Sequence, residues 1–446
     1  MVHCSTFTAI LCVLLAACPA RGREFFVAPN GDDANSGAVR RPFQTVDRAL
    51  EEVQAGDVIL LRGGVYDCRA TIRIDISGQA DKPMALWACP NEVPVLDFQN
   101  SGGSDRGIRL DGSFWHIRGL VIQHAGDNGI IVYGAGNCLE QIVARYNGDS
   151  GIQLHTGAAS NRIENCDSYS NYDPKNHGEN ADGFAAKFTL GEGNTLVGCR
   201  SWGNSDDGYD LWEAGRGVTL VDCRAFRNGA NVWDDKAFAG DGNGFKLGHG
   251  GGDHVLIACV AYDHPHNGID VNGNVTGVTI YNCTCVDNKG PNFFFDEHSD
   301  IHVMRNNLSY LGSAVVYDEI DDKNNSWNGF NVQATDFRSL DPNGIDGPRE
   351  AGGGLPALPF LRPSPDSSLI DGGIDVGLAY HGRAPDLGAF EFIEEDCNGD
   401  GAIDYIDLAC LTSHWLTADP TGLVDFIDFS ALADHWRRTE AIIIDD

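Results

Sequence analysis

The sequence predicts an all-β fold, a parallel β-helix, and three observations predict it. A polar residue, a glycine and an apolar residue recur as Asn128-Gly129-Ile130, Ser150-Gly151-Ile152, Asp182-Gly183-Phe184, Asp207-Gly208-Tyr209, Asn243-Gly244-Phe245 and Asn267-Gly268-Ile269. The glycines stand 22, 32, 25, 36 and 24 residues apart, a period that marks a solenoid. A second column, Leu120, Ile142, Cys166, Cys199, Cys223, Cys259 and Cys283, precedes the glycine in each unit. A third, Asn147, Asn171, Asn204, Asn228 and Asn288, follows that column by five residues and reads as a ladder of turn asparagines. Short strands and turns repeated in this way let each coil bury its neighbour's apolar face.

Residues 1–22 contain an apolar run, Phe7 to Ala17, followed by small residues. It is too short to span a membrane and reads as a secretory signal, cleaved after Ala20. Leu15, Ala16, Ala17 and Cys18 also fit a lipoprotein box, in which Cys18 would carry lipid and anchor the chain at the cell surface. The expectation is therefore a secreted or extracellular protein without a transmembrane span. Residues 23–392 form the solenoid domain. Val46, Ala49, Leu50 and Val53 fall at helical spacing, with Thr45 as N-cap and Gly56 as stop; that helix should cap the open end of the coils. The regular coils begin near Phe114 and lose their period after Phe295. The Gly- and Pro-rich stretch to Phe392 reads as a closing wrap.

Of 446 residues, 64 are Asp or Glu and 31 Lys or Arg, a formal net charge of −33. Such acidity argues against nucleic acid and anionic membranes as partners. Most of the cysteines sit in the inward column and read as small apolar residues. Cys68 and Cys89 are the best candidates for a disulfide, with connectivity left open.

Two intervals exceed the basic period, and the surplus lies in Asn171 to Asn180 and Gly229 to Asp241. Both loops leave the coil beside the same strand and should wall a cleft. Alternation within that strand turns Tyr209 and Leu211 inward and Asp210 outward, and turns Lys246 outward between Phe245 and Leu247. With coils about 4.8 Å apart, Asp182 stacks on Asp207 and Asp210 on Lys246. Aspartates beside glycines often only cap turns. Four of them (Asp182, Asp206, Asp207 and Asp210) on one face, with a lysine one coil away, instead suit a hard cation such as Ca²⁺. Lys187, Trp212, Trp233 and His249 are candidate substrate contacts.

ADGFAAK at Asp182, SDDGYDLW at Asp206, Asp207 and Asp210, and GNGFKLG at Lys246, in this order and spacing, resemble the family 9 polysaccharide lyases. These are pectate lyases built on a right-handed parallel β-helix of about ten coils. The resemblance covers roughly Phe25 to Phe392. It implies Ca²⁺ held by Asp182, Asp206, Asp207 and Asp210, with Lys246 as the base in β-elimination on polygalacturonate. On the residues alone, a glycoside hydrolase, a uronan C5-epimerase and a non-catalytic glycan-binding β-helix stay open; the aspartate and lysine spacing favours the lyase.

After a linker at 393–395, residues 396–438 read as a separate, small α-helical calcium-loop module, with a tail at 439–446. Asp396, Asn398, Asp400, Asp404 and Asp407 fall at calcium-loop positions 1, 3, 5, 9 and 12, with Gly401 at 6. IDYIDLACLTSHW is echoed 21 residues later by VDFIDFSALADHW. This duplication resembles a type I dockerin, which implies a cohesin partner. Residues 396–446 carry eleven acidic and two basic side chains, so the module should need calcium to fold. The second loop has Thr417 and Thr421 at positions where the first has Asp396 and Asp400, and should bind more weakly. The protein is expected to act as a monomer.

Overall fold

Each coil contributes one short strand to each of three parallel sheets, as Trp115–Arg118, Val121–Gln123 and Ile130–Val132 do in one turn of the chain. The computed structural model describes residues 22–295, 302–317, 320–394, 396, 399–401 and 407. Among them the first sheet has 12 strands, from Glu24–Val27 to Asp321–Lys323, and the second and third have 10 each. The fold is therefore a parallel β-helix. The signal segment, Cys18 and most of the calcium-loop module, including Asn398 and Asp404, lie outside the described residues. Among the described residues, no helix is long and apolar enough to cross a membrane.

The sequence columns become stacks. Leu120, Ile142, Cys166, Cys199, Cys223, Cys259 and Cys283 are all buried, and the cysteine thiols donate to carbonyls, as Cys166 Sγ does to Leu139 O at 3.4 Å. Phe184, Tyr209 and Phe245 stack with centroids 5.0 and 4.6 Å apart. That interior stack fixes the register in which Asp210 faces Lys246, because a slip of one residue would turn the aromatics outward. In the asparagine ladder, Asn147 Nδ2 donates to Asn171 Oδ1 at 3.0 Å, Asn171 to Asn204 at 2.8 Å and Asn204 to Asn228 at 2.9 Å.

His264 continues this ladder. Asn228 Nδ2 lies 3.3 Å from its Nε2, and its Nδ1 is 2.9 Å from Asn288 Oδ1. Burial lowers its pKa to about 4. The folded state thus resists protonation that the unfolded chain accepts near pH 6.5, so this contribution to stability is present above pH 6.5 and lost as pH falls through 4. His264→Asn keeps the ladder and removes the titration. It should lose about 2–3 kcal/mol less stability than wild type between pH 7 and pH 4, as read by denaturant unfolding at each pH.

The five-residue helix Val46–Leu50 starts at Thr45 as expected, its hydroxyl accepting from Arg48 N at 3.2 Å, but it ends at Glu51, so Val53 and the expected stop Gly56 lie beyond it. It packs on the first coils, as expected. The solenoid is longer than its period suggests. Coils begin with Glu24–Val27, well before Phe114, and strands continue to Asp321–Lys323, beyond Phe295. The repeated turn extends one unit upstream, as Arg106-Gly107-Ile108, whose Ile108 pairs with Ile130; the coils before it bury Ile, Leu and Val without a polar-Gly turn.

Cys68 and Cys89 are both free, which corrects the disulfide expectation. Cys68 follows a second-sheet strand and pairs with Asp97 O, whereas Cys89 follows a first-sheet strand and pairs with Leu61 O. They stand at the ends of strands in different sheets. After Trp327, which packs on Phe293 of the interior stack, the wrap runs back along the outside of the second sheet. Phe337, Phe360, Leu361 and Leu387 pack there on Phe226, Val260, Val286 and Leu308, and Arg349 reaches Asp167 Oδ1 at 2.8 Å.

Candidate active site

The turn between the second and third sheets delivers the acidic residues, and the third-sheet strands Phe184–Ala186, Tyr209–Asp210 and Phe245–Lys246 fix their spacing. Asp182, Asp206, Asp207 and Asp210 are all buried, as are Lys187 and Lys246. One oxygen from each of Asp182, Asp207 and Asp210 lies within 4.8 Å of the others, and Asp206, Asp207 and Asp241 form a second such group. Asp207 is common to both. The four aspartates singled out in the sequence therefore divide, with Asp206 on the loop side. Its two oxygens accept the backbone amides of Asn180 and Asp241, each at 2.7 Å, so it ties both cleft loops to the coil.

Lys187 lies among the first group, 2.8 Å from Asp182 Oδ2 and 2.6 Å from Asp210 Oδ2. Lys246 Nζ is 2.7 Å from Asp241 Oδ2 and 3.1 Å from Asp207 Oδ2. Trp212 lies under Lys246, 5.6 Å from ammonium to ring centroid, and stacks on the exposed His249 at 5.0 Å. Trp233 is apart from this group and stacks on Tyr172 in the loops. Asp235 links the two loops, accepting from Tyr172 Oη at 2.7 Å and pairing with His177 Nδ1 at 3.1 Å.

Crowded carboxylates away from water resist ionisation. Burial, then the neighbouring Asp210 and Asp207, push Asp182 up to about 8 against the pull of Lys187. Burial and Asp210 raise Asp207 to about 6 against Lys246, and burial with Asp207 holds Asp206 well above the usual carboxylate range. Burial favours a neutral Lys246, but Asp207, Asp210 and Asp241 outweigh it and keep the ammonium protonated.

The donor set fits a hard divalent cation. Asp207 Oδ1 is satisfied by Asn243 N and Nδ2 at 2.7 and 2.9 Å. Its Oδ2 is buried and accepts no hydrogen bond, even with Lys246 nearby. An all-oxygen group with such an oxygen at its centre suits Ca²⁺. At the C-terminal loop, Asp396, Asp400 and Asp407 are described; Asp396 Oδ1 and Oδ2 accept Gly399 N at 2.6 Å and Gly401 N at 2.8 Å.

Asp241 is the site residue that sequence reasoning missed. It lies in an insertion without period, and its only signal is its place five residues before Lys246.

Residues 25–307 match the family described as Pel9A-like, right handed beta helix region. The chain is 38% identical over 386 residues to pectate lyase L of Dickeya dadantii, covering 83% of this chain and 90% of the relative. It is 32% identical over 398 residues to pectate lyase PEL9 of Emericella nidulans, covering 80% and 95%. The crystal structure of pectate lyase Pel9A superposes with a TM-score of 0.80 at 38% identity, covering 84% of this chain and 97% of that one. A rhamnogalacturonan lyase superposes at 0.69 and 27% identity, covering 77% and 97%.

Proposed function

The chain belongs to the Pel9A-like, right-handed β-helix family and is a pectate lyase of polysaccharide lyase family 9, and from that premise we propose a cation-assisted β-elimination with Lys246 as its base. Asp182, Asp207 and Asp210 would hold Ca²⁺, with Asp206 supporting them from the loop side. When bound, the cation supplies positive charge against the uronate carboxylate, which makes the C5 proton more acidic.

Lys246 Nζ takes the C5 proton. The electron pair of the C5–H bond becomes the C4–C5 double bond, and the C4–O4 bond breaks, its electron pair leaving with the departing sugar's oxygen, which then takes up a proton. A lysine does this only when neutral. Asp207 and Asp210 are the largest charges holding it protonated, and a cation held by them would weaken that hold on the proton. Once protonated again, the ammonium is met by Asp241 and by the face of Trp212. Trp212 and His249, stacked beside Lys246, are placed to meet a sugar ring.

The single observation that carries this reading is Asp207 Oδ2, a buried carboxylate oxygen without a hydrogen bond between two acidic groups and beside Lys246. Ultraviolet absorbance of unsaturated product tests it on pectate, methylated pectin, alginate and rhamnogalacturonan, with and without chelator. Absorbance should rise on pectate, stop on chelation and return with added Ca²⁺. Reducing ends without absorbance would indicate hydrolysis, and chelator-resistant elimination would remove the cation.

The proposal extends to the ends of the chain. The enzyme is exported through its N-terminal signal and attached to a cohesin-bearing assembly by its dockerin-like module, a reading supported by the duplicated loop-and-helix sequence. Calcium-dependent retention of the full chain on immobilised cohesin would test the attachment, and equal retention in chelator would contradict it.

A further inference from the structure

We propose that the N-terminal side of the catalytic cleft carries an accessory subsite for an acidic sugar of the same polymer, built by Tyr146, His124, Tyr172, Trp233 and Lys175. The inference rests on the polyuronate reading above and adds a second contact to it. These residues line a cavity of about 400 Å³ at the turn between the second and third sheets. The strand register aligns Ile130 with Ile152 and Phe184, so Asn128, Ser150 and Asp182 occupy one column. Tyr146, four residues before Ser150, is one coil from Asp182, and His124, four before Asn128, is two coils away. That is about 5 and 10 Å along the axis.

The cavity has the chemistry of a saccharide site. His124 and Tyr146 stack at 5.8 Å, and Tyr146 is 48% exposed. Tyr172 and Trp233 stack at 4.7 Å and come from the two cleft loops. Flat amphipathic rings of this kind take the apolar face of a sugar while their edges keep polar contacts. Lys175 supplies a cation. Its Nζ donates to Gly126 O at 3.2 Å and, among the described residues, makes no ion pair. In a chain of net charge −33, such an ammonium beside exposed rings selects a carboxylate-bearing sugar over a neutral one.

A second observation concerns the backbone. The turn position held by His124, Tyr146, Ser170, Gly203, Arg227, Asp263 and Asp287 has positive φ in successive coils, a conformation that suits glycine, Asn or Asp and is costly for a bulky residue. Tyr146 adopts φ of 56° there, where its ring stacks on His124, meets Tyr169 edge-on at 6.0 Å and Arg145 at 5.5 Å, and still leaves a face open for a sugar.

Lys175→Gln and Tyr146→Ala should each raise KM for polygalacturonate about tenfold with less than a twofold fall in kcat. Calorimetry of octagalacturonate on Lys246→Ala, alone and combined with Lys175→Gln, should give the same loss without turnover. Unchanged polymer KM and binding in folded variants, checked by melting temperature, would overturn the subsite. So would losses confined to a neutral galactan. Wild-type enzyme that makes no unsaturated product would instead defeat the underlying reading, so the two failures are distinct.

Discussion

Lys246→Ala should lower kcat on polygalacturonate by about 10³-fold or more, since a positioned general base contributes about 10²–10⁴. Ultraviolet absorbance of the unsaturated product measures it. The side chain is buried between Asp207 and Asp241 and has Trp212 under its ammonium, so its removal takes away the only amine that, among the described residues, contacts both acidic groups. Lys187, the other buried amine of the site, is bound to Asp182 and Asp210 and reaches neither Asp207 nor Asp241 as an ion pair. It should not rescue the variant. Lys246→Arg should fare little better, because a guanidinium does not deprotonate in the working range. Activity within tenfold of wild type in Lys246→Ala would assign the base elsewhere.

Asp207→Asn has an effect of similar size and a second, opposite one. Elimination should fall by about 10³-fold, since Asp207 is common to both acidic groups and its loss lowers the charge that a cation meets. The same change should stabilise the calcium-free protein by about 1–2 kcal/mol, because burial and repulsion from Asp210 and Asp241 outweigh the ion pair of this carboxylate with Lys246. An Asn at this place keeps the oxygen that Asn243 binds and turns a donor toward the neighbouring carboxylates. Denaturant unfolding in chelator, beside the activity assay, checks the pair of effects. A variant both inactive and less stable would mean that Asp207 is a structural anchor. The trade of stability for function is the behaviour expected where like charges are held together for a ligand.

How far the site could be read in advance depends on whether a residue lies in the period. Asp182, Asp207, Asp210 and Lys246 lie in regular coils, and the inward stack of Phe184, Tyr209 and Phe245 sets their facing, so alternation alone brings Asp210 against Lys246. Asp241 lies in an insertion, where neither spacing nor alternation constrains a side chain. Lys187 is a different case. It stands two residues after Ala185, which pairs with Asp210, and i, i+2 positions in a strand share a face, so its contact with Asp210 was readable. What hid it was reach: a four-carbon stem can lie along the sheet or stand off it, and only packing decides. His264 stands five residues after Cys259, in the ladder column, but as a histidine it breaks the asparagine pattern by which the ladder is recognised. Arg106-Gly107-Ile108 continues the period one unit before Asn128, but the coils before it are apolar strands without that turn and show no repeat, and the wrap's course along the second sheet depends on contacts such as Arg349 with Asp167, between residues far apart in the chain.

The most direct test of the central claim is the elimination rate on polygalacturonate as a function of free Ca²⁺, for the wild type beside Asp182→Asn. Because the readout is catalysis, calcium taken up by the C-terminal loop does not enter it. The account predicts no rate without the cation, saturation as it is added, and a half-saturating concentration at least about tenfold higher in the variant. A rate that survives chelation, or curves that coincide for the two proteins, would contradict it.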